Sequence, residues 1–260
     1  MSSSSVFHFS RFIPRTLAIV ATFVGTPAAQ AAQAGLNPCQ LRDLLVSHPS
    51  MAEVQSEDSV SGADGAEELA DAAQRLLGDV HETHYQHKTH IDRAAGAYDL
   101  DCSGFVDYLL KQVAPERFSQ IPVEPGHVRP RAAVYFRFLN RLREQPVPGW
   151  QAVHQLGDAR RGDIIAWALQ ASTRESGDTG HVVIVAATPV LKSGDSYGVE
   201  VYDSSGIRHD DDSRTGRTGG VGSGVITFRI NRSGEPIAFQ FNSRADIHSE
   251  AIAIGRLVRE

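Results

Sequence analysis

The sequence predicts an α+β domain in which N-terminal helices pack on an antiparallel β-sheet. Three observations carry that prediction. Helical spacing is clearest at Cys102, Phe105, Val106, Leu109, Leu110 and Val113, which fall on one apolar face. Beyond Gly162 the texture changes to short β-branched runs separated by Gly, Asp, Ser and Pro. Helices first and strands afterwards argue for an antiparallel sheet rather than a doubly wound parallel one. With 260 residues, 41% hydrophobic and 22% charged, the chain can form one large domain or two small ones.

Taken in order, residues 1–31 read as a secretory signal peptide. Arg11 and Arg15 precede the apolar run Thr16–Val24, and Ala29-Gln30-Ala31 supplies the small residues that a signal peptidase reads. That run is about half of the ~20 residues needed to cross a bilayer. No other stretch is long enough, so an exported protein is expected, periplasmic or secreted, with no stable membrane anchor. Pro38 directly before Cys39 is a poor match to a lipoprotein-processing site. Residues 32–65 read as a mobile acidic arm or linker, because every charged residue from Glu53 to Asp71 is acidic and SEDSVSGADG is small and polar.

One domain is expected over 66–260. Ala66–Val80 has helix-forming composition with acids in its first turn. Cys102–Val113 is the clearest helix; Asp101 or Ser103 can cap it and Pro115 stops it. A second helix is expected over Arg131–Arg143. Strands are expected at Asp163–Trp167, His181–Ala187, Gly198–Asp203, Val225–Ile230, Ile237–Phe241 and Ile252–Val258. Gly219–Gly224 lacks the context of a phosphate loop and reads as a flexible turn or lid.

The chemistry centres on Cys102. It opens a helix, where the dipole and free N–H groups favour a thiolate and lower the thiol from about 8.5 toward neutrality. The same amides face any oxyanion formed by attack at sulfur. A thiol nucleophile needs a base, and the base needs an orienter. His181 opens the strand HVVIVAA and Asp203 closes the next, GVEVYD. If those strands are antiparallel neighbours, the carboxylate lies beside the imidazole, as triad logic requires.

These residues resemble the NlpC-type cell-wall cysteine peptidases. The likeness is carried by Asp101-Cys102-Ser103-Gly104-Phe105-Val106, Arg161-Gly162-Asp163-Ile164-Ile165, Gly180-His181-Val182 and Val201-Tyr202-Asp203-Ser204-Ser205. It runs from about Tyr85 to Ser205. It implies a compact papain-like module that hydrolyses short peptidoglycan stem peptides, often after γ-D-glutamate. It further implies that Cys102, His181 and Asp203 are catalytic, with Asp203 where the family often has His. By the same resemblance, the Tyr85 hydroxyl shapes the substrate site, and Asp101 and Ser103 match positions that in some members contact the peptide amine. Relative to the family, residues 115–158 contain an insertion and the chain after 205 is an extension. The stretch QHKTHIDRAAGAYDL replaces the family's Gly-rich, Trp-containing segment.

The expected function is therefore an exported cysteine hydrolase cleaving amide bonds in peptidoglycan stem peptides, acting as a monomer and requiring no cofactor and no metal. Two other readings stay open: a catalytically inactive envelope-binding module, and an acyl transferase or amidase on another substrate. A net charge of -6 disfavours nucleic acid as a partner. His81, His84, His87 and His90 recur every third residue; a helix would spread them, so they read as a polar loop beside the cleft rather than a metal site. Arg129, Arg131, Arg137, Arg141 and Arg143 read as the solvated side of the second helix, or as a dock for substrate carboxylates. Cys39 is expected to be a spectator, since a bridge to Cys102 would abolish the nucleophile.

Overall fold

Residues 64–169, 178–215 and 219–259 are described in the structure, a computed structural model. The signal-peptide segment, residues 32–63 of the arm and Cys39 lie outside them. Helix α1 (Gly65–Asp79) buries Ala66, Leu69, Ala70, Ala73 and Leu76, the spacing of one helical face. Three short strands follow where a polar loop was expected: β1 (Glu82–Tyr85), β2 (His90–Asp92) and β3 (Ala97–Leu100). They form a small sheet in the order β1-β3-β2, with β1 parallel to β3. These strands are three or four residues long, and only β3 alternates, burying Tyr98 and Leu100 over four residues, too short a run to read. Their register sets Tyr85 opposite Leu100, two residues before the cysteine.

Helix α2 (Cys102–Val113) buries the predicted stripe up to Leu110. Its cap is Asp101, whose carboxylate accepts the Gly104 N–H at 2.7 Å. Phe105 and Leu110 are wholly buried and each contributes about 1.5–3 kcal/mol by leaving water. After the short α3 (Pro115–Ser119) comes α4 (Ala132–Arg141), which buries Val134, Tyr135, Phe138 and Leu139.

The main sheet has eight strands, and every recorded pairing in it is antiparallel. They are β4 (Trp150–Val153), β5 (Ile164–Ala168), β6 (Gly180–Val185), β7 (Val190–Ser193), β8 (Ser196–Ser205), β9 (Gly220–Ile230), β10 (Pro236–Gln240) and β11 (Ile252–Leu257). The order is β10-β9-β8-β6-β5-β11-β4, with β7 beside β8. The molecule is thus α+β. The six expected strands are all present, whereas β4 and the exposed β7 were not foreseen. The extension after 205 supplies β9, β10 and β11, and β11 lies between β5 and β4, within the sheet. The 115–158 insertion contributes the edge strand β4 as well as helices.

Alternation divides β5 and β6 between two cores. Ile164, Ala166, Val182 and Ile184 face the helices and share a cluster with Cys102, Phe105 and Leu109. Ile165, Trp167, Val183 and Val185 face the other way, against Phe228 and Phe239. β10 returns to contact β11, so the sheet curls around this second core. Ser204 Oγ donates to the Leu100 carbonyl at 2.6 Å and Thr83 Oγ1 accepts the Val221 N–H at 2.8 Å, tying the two sheets together.

The glycine-rich stretch expected to be a turn or lid is instead the first half of β9, apart from Gly219. A Cβ on Gly222 would stand 2.6 Å from Arg214 Cγ, and one on Gly224 2.7 Å from His209 Cβ. The glycines therefore let the segment carrying His209 and Arg214 lie directly on the strand. Within the Arg161-Gly162-Asp163 motif, Gly162 (φ 86) turns where the start of α1 leaves no room for a side chain. Buried Asp163 accepts from Arg256 at 2.7 and 2.8 Å.

Candidate active site

The antiparallel pairing of β6 with β8 brings together the imidazole and carboxylate singled out in the sequence. His181 Nε2 lies 2.7 Å from Asp203 Oδ2, and both residues are buried. Since Nε2 faces the carboxylate, Nδ1 is the nitrogen left to exchange a proton. The imidazole packs on Trp167 and Phe241, with ring centroids 5.2 and 5.5 Å away.

Cys102 sits where the helix stripe requires, 4% exposed. Its Sγ has the Gly180 carbonyl as its partner at 4.0 Å, so the thiol lies against the backbone just before His181 rather than bonded to the ring. Catalytic hydrogen bonds commonly tighten only when substrate is bound. The expected lowering of the thiol is corrected here: burial, then the charge of Asp101, pushes Cys102 well above its usual range, with the Val182 N–H acting the other way. Burial removes water from the thiolate, a loss that the helix-terminus argument did not count.

Two cavities meet at this point. One of about 310 Å³ is lined by Cys102, Asp101, Ser103, Arg129 and Arg131. The other, about 400 Å³, is lined by His181, Trp167, Phe239, Phe241 and Ile207. Tyr85, Asp178 and Gly180 border both. Burial, followed by the charges at Cys102 and Asp101, raises the Tyr85 hydroxyl, which stays a proton donor. That suits the role expected of it.

Two residues that sequence reasoning missed hold Asp203. His209 Nε2 reaches the same Oδ2 at 2.9 Å, and Arg214 Nη2 bonds Oδ1. Arg214 Nη1 also pairs with Asp212 at 2.8 Å, and Nε donates to the Gly220 carbonyl at 2.7 Å. Burial works to raise the Asp203 carboxyl; His209, Arg214 and His181 outweigh it and hold the group well below the ordinary carboxylate range. The glycines alternating along β9 were the available signal, since they make room for both residues.

Among the described residues, His181, Asp203 and His209 are the group that could hold a metal ion, with ligand atoms within 4.8 Å of one another. The chemistry argues against it. Arg214 already occupies Oδ1, and His209 Nδ1 is enclosed without a partner, which marks it as the lone-pair side of the ring. Metal binding through Nε2 would force a proton onto that enclosed nitrogen, leaving a buried donor unsatisfied. Three members of the histidine series also meet carboxylates, supplied by β3 and the residue after it: His84 and His90 approach Asp99 at 2.9 and 3.5 Å, and His87 approaches Asp101 at 3.2 Å.

Asp101 and Ser103 lie at the cavity but do not stand free as expected. Both Asp101 oxygens accept from Arg129 Nη2 at 2.8 Å, and Ser103 Oγ accepts from Nη1 at 2.6 Å. Arg129 precedes α4 and is turned inward, so it is not part of a solvated helix face. Arg131 and Arg137 pair with Glu124, and Arg143 with Glu235, leaving much of the basic stretch neutralised within the fold.

Arg129 also approaches Asp107 at 3.4 Å, while the Tyr135 hydroxyl donates to that carboxylate at 2.6 Å. One guanidinium thus serves two buried acids. Burial outweighs these partners and pushes the Asp107 carboxyl up to about 7. An unfolded Asp titrates near 3.9. The native state holds its proton more tightly, so this group's stabilisation is full below about pH 4 and is lost as pH rises to about 7. The loss amounts to at most about 4 kcal/mol at ~1.36 kcal/mol per pH unit. Asp107→Asn is expected to gain stability relative to the parent protein between pH 4 and 8, read from urea unfolding. Parallel stability curves for the two proteins would refute the assignment.

No family model matches the chain. Comparison with curated proteins also finds no match.

Proposed function

We propose that the protein is an exported papain-like thiol hydrolase that cleaves amide bonds in peptidoglycan stem peptides. The observation that carries this reading is the 2.7 Å His181–Asp203 hydrogen bond, buried beside a cysteine that opens a helix. The resemblance in the sequence supplies the substrate class.

In this mechanism the thiol loses its proton to His181 Nδ1 as substrate fills the cleft. Cys102 Sγ then bonds to the amide carbonyl carbon, and the oxyanion is met by the Cys102 amide and the Tyr85 hydroxyl. The C–N bond breaks as the imidazolium returns the proton to the departing amine. Water, deprotonated by His181, hydrolyses the thioester and releases the acid and the free thiol. A resting thiol suits this order, because general-base removal of the proton is coupled to attack.

The test follows product masses from purified muropeptides. The parent protein is expected to yield fragments that together carry one added water, and Cys102→Ala is expected to remove turnover without unfolding. Alkylation of Cys102 by iodoacetamide should be slow at pH 7 and accelerate above about 8.5, the ordinary thiol value. Full turnover in Cys102→Ala would end the mechanism.

A second reading, the non-catalytic envelope-binding module, is favoured by one observation: the thiol is buried and bonded to the Gly180 carbonyl rather than to His181. It predicts muropeptide binding with no product and an unreactive cysteine at every pH.

A further inference from the structure

The two cavities that meet at the thiol divide the reacting groups between them. Cys102 lines the first and not the second; His181 lines the second and not the first. The second is mainly apolar and draws much of its wall from the extension, beyond Ser205 where the resemblance ends. Its walls include Trp167, Ile207, Phe239 at the end of β10 and Phe241 just after it. The rings form one connected set. Phe239 lies 4.2 Å from Trp167 and 5.1 Å from Phe241, centroid to centroid, and both Trp167 and Phe241 pack on His181. Phe239 and His248 exchange both backbone N–H···O bonds at 2.9 Å, which folds the chain after β10 back onto the strand. Trp167 and Phe239 are core residues, but Phe241 is only partly buried and Ile207 is 47% exposed, so apolar surface is left at the opening. A pocket of about 400 Å³ with such a lining is of the kind that takes a small apolar group. Among its described lining residues Asp178 and Glu250 are acidic and none is Lys or Arg, so a group bearing a carboxylate is repelled there.

We infer that this pocket takes a bulky apolar side chain on the amine half of the substrate, so that the amide cut at Cys102 has a polar acyl half and an apolar leaving half. The orientation follows from the path of the proton. His181 gives its proton to the departing nitrogen, so the amine half lies on the imidazole side, while the acyl half stays with the sulfur to which it becomes bonded. A small residue there would leave the apolar walls wet. A larger apolar one removes that surface from water, and an aromatic ring adds contact with walls that are themselves aromatic. This inference rests on the thiol-hydrolase reading and narrows its substrate: the acyl half is that of a stem peptide, and the residue released as the amine is larger and more apolar than alanine.

The experiment uses the full chain carrying Cys102→Ala and peptides alanyl-γ-glutamyl-X that share one acyl half, with X phenylalanine, alanine or glutamate. Calorimetric titration is expected to give about tenfold or more tighter binding of the phenylalanine peptide than of the alanine one, the scale of burying an aromatic side chain, with glutamate weakest. Adding Ile207→Asp puts a charge on the pocket wall at a half-exposed position outside the Cys102, His181 and Asp203 set. It should erase most of the phenylalanine advantage and leave binding of the alanine peptide unchanged. Alanine or glutamate binding as tightly as phenylalanine would overturn the inference, as would an advantage that survives Ile207→Asp. Binding of none of the peptides would overturn it together with the stem-peptide reading. The chain that retains Cys102 separates the pocket from the hydrolase. Preference for the phenylalanine peptide with no cleavage of it upholds the pocket and overturns the hydrolase, whereas cleavage of all the peptides at equal kcat/KM upholds the hydrolase and overturns the pocket.

Discussion

Asp203→Asn is expected to lower kcat by about 10⁴-fold, the scale seen when the acid of a catalytic triad becomes an amide. Asp203 Oδ2 accepts from His181 Nε2 at 2.7 Å and so keeps Nδ1 free to take the thiol proton. An asparagine can turn its NH₂ toward the ring, which moves the ring proton to Nδ1 and leaves Cys102 without a base. His209 competes for the same oxygen at 2.9 Å, so a single amide oxygen cannot restore both bonds with full strength. The fold should survive, because Arg214 keeps Asp212 as a partner at 2.8 Å. The measurement is kcat per folded molecule, with the folded fraction taken from circular dichroism. A loss of activity that merely tracks unfolding would reduce Asp203 to a structural residue.

Arg214→Met is expected to cost about 3–5 kcal/mol of stability, the penalty for removing one partner of a buried charge pair. Arg214 is 6% exposed, and its guanidinium bridges the carboxylates of Asp203 and Asp212. Methionine fills much of the same length but leaves two buried carboxylates without the guanidinium that bridged them, while His181 and His209 still donate to Asp203. For a domain of this size the melting temperature should fall by roughly 6–20 °C. Asp203→Asn combined with Arg214→Met should recover part of the loss, since the first change removes one of the stranded charges; a coupling of about 1–3 kcal/mol is expected. Simple additivity would show that Arg214 does not act through Asp203. The single variant should also lose activity beyond its loss of folded protein, because His181 depends on an ionised Asp203.

The elements legible in the sequence share one property: their signal is local. The stripe from Cys102 to Leu110 and the alternating or continuous apolar runs of β5, β6, β8 and β11 repeat at the period of their own secondary structure. The side that each buries follows directly. The meeting of His181 with Asp203 belongs here too, because antiparallel neighbours place the start of one beside the end of the other, and β6 and β8 are such neighbours even though the unforeseen β7 lies between them in the chain. Strands β1, β2 and β3 were hidden because they are brief and pair through the backbone, with Thr83 and Ser204 joining them to the main sheet.

The charge partners of the site belong to the other category. Arg129 lies 28 residues from Asp101 and Arg214 lies 11 from Asp203, each beyond the reach of helix or strand periodicity. A buried ion pair is specified by the shape of the space around it, and Gly222 shows how: it is glycine because Arg214 occupies the place of its side chain. The same holds for the thiol. Its position at a helix start is written in the chain, but its protonation follows from how completely the sheet removes it from water, which no local pattern records. The sequence thus singled out Cys102, His181 and Asp203, the nucleophile, base and acid of the proposed mechanism, by residue type and spacing. Folding determined the ionisation of the thiol and of Asp203, because it depends on desolvation and on charges brought together from distant parts of the chain.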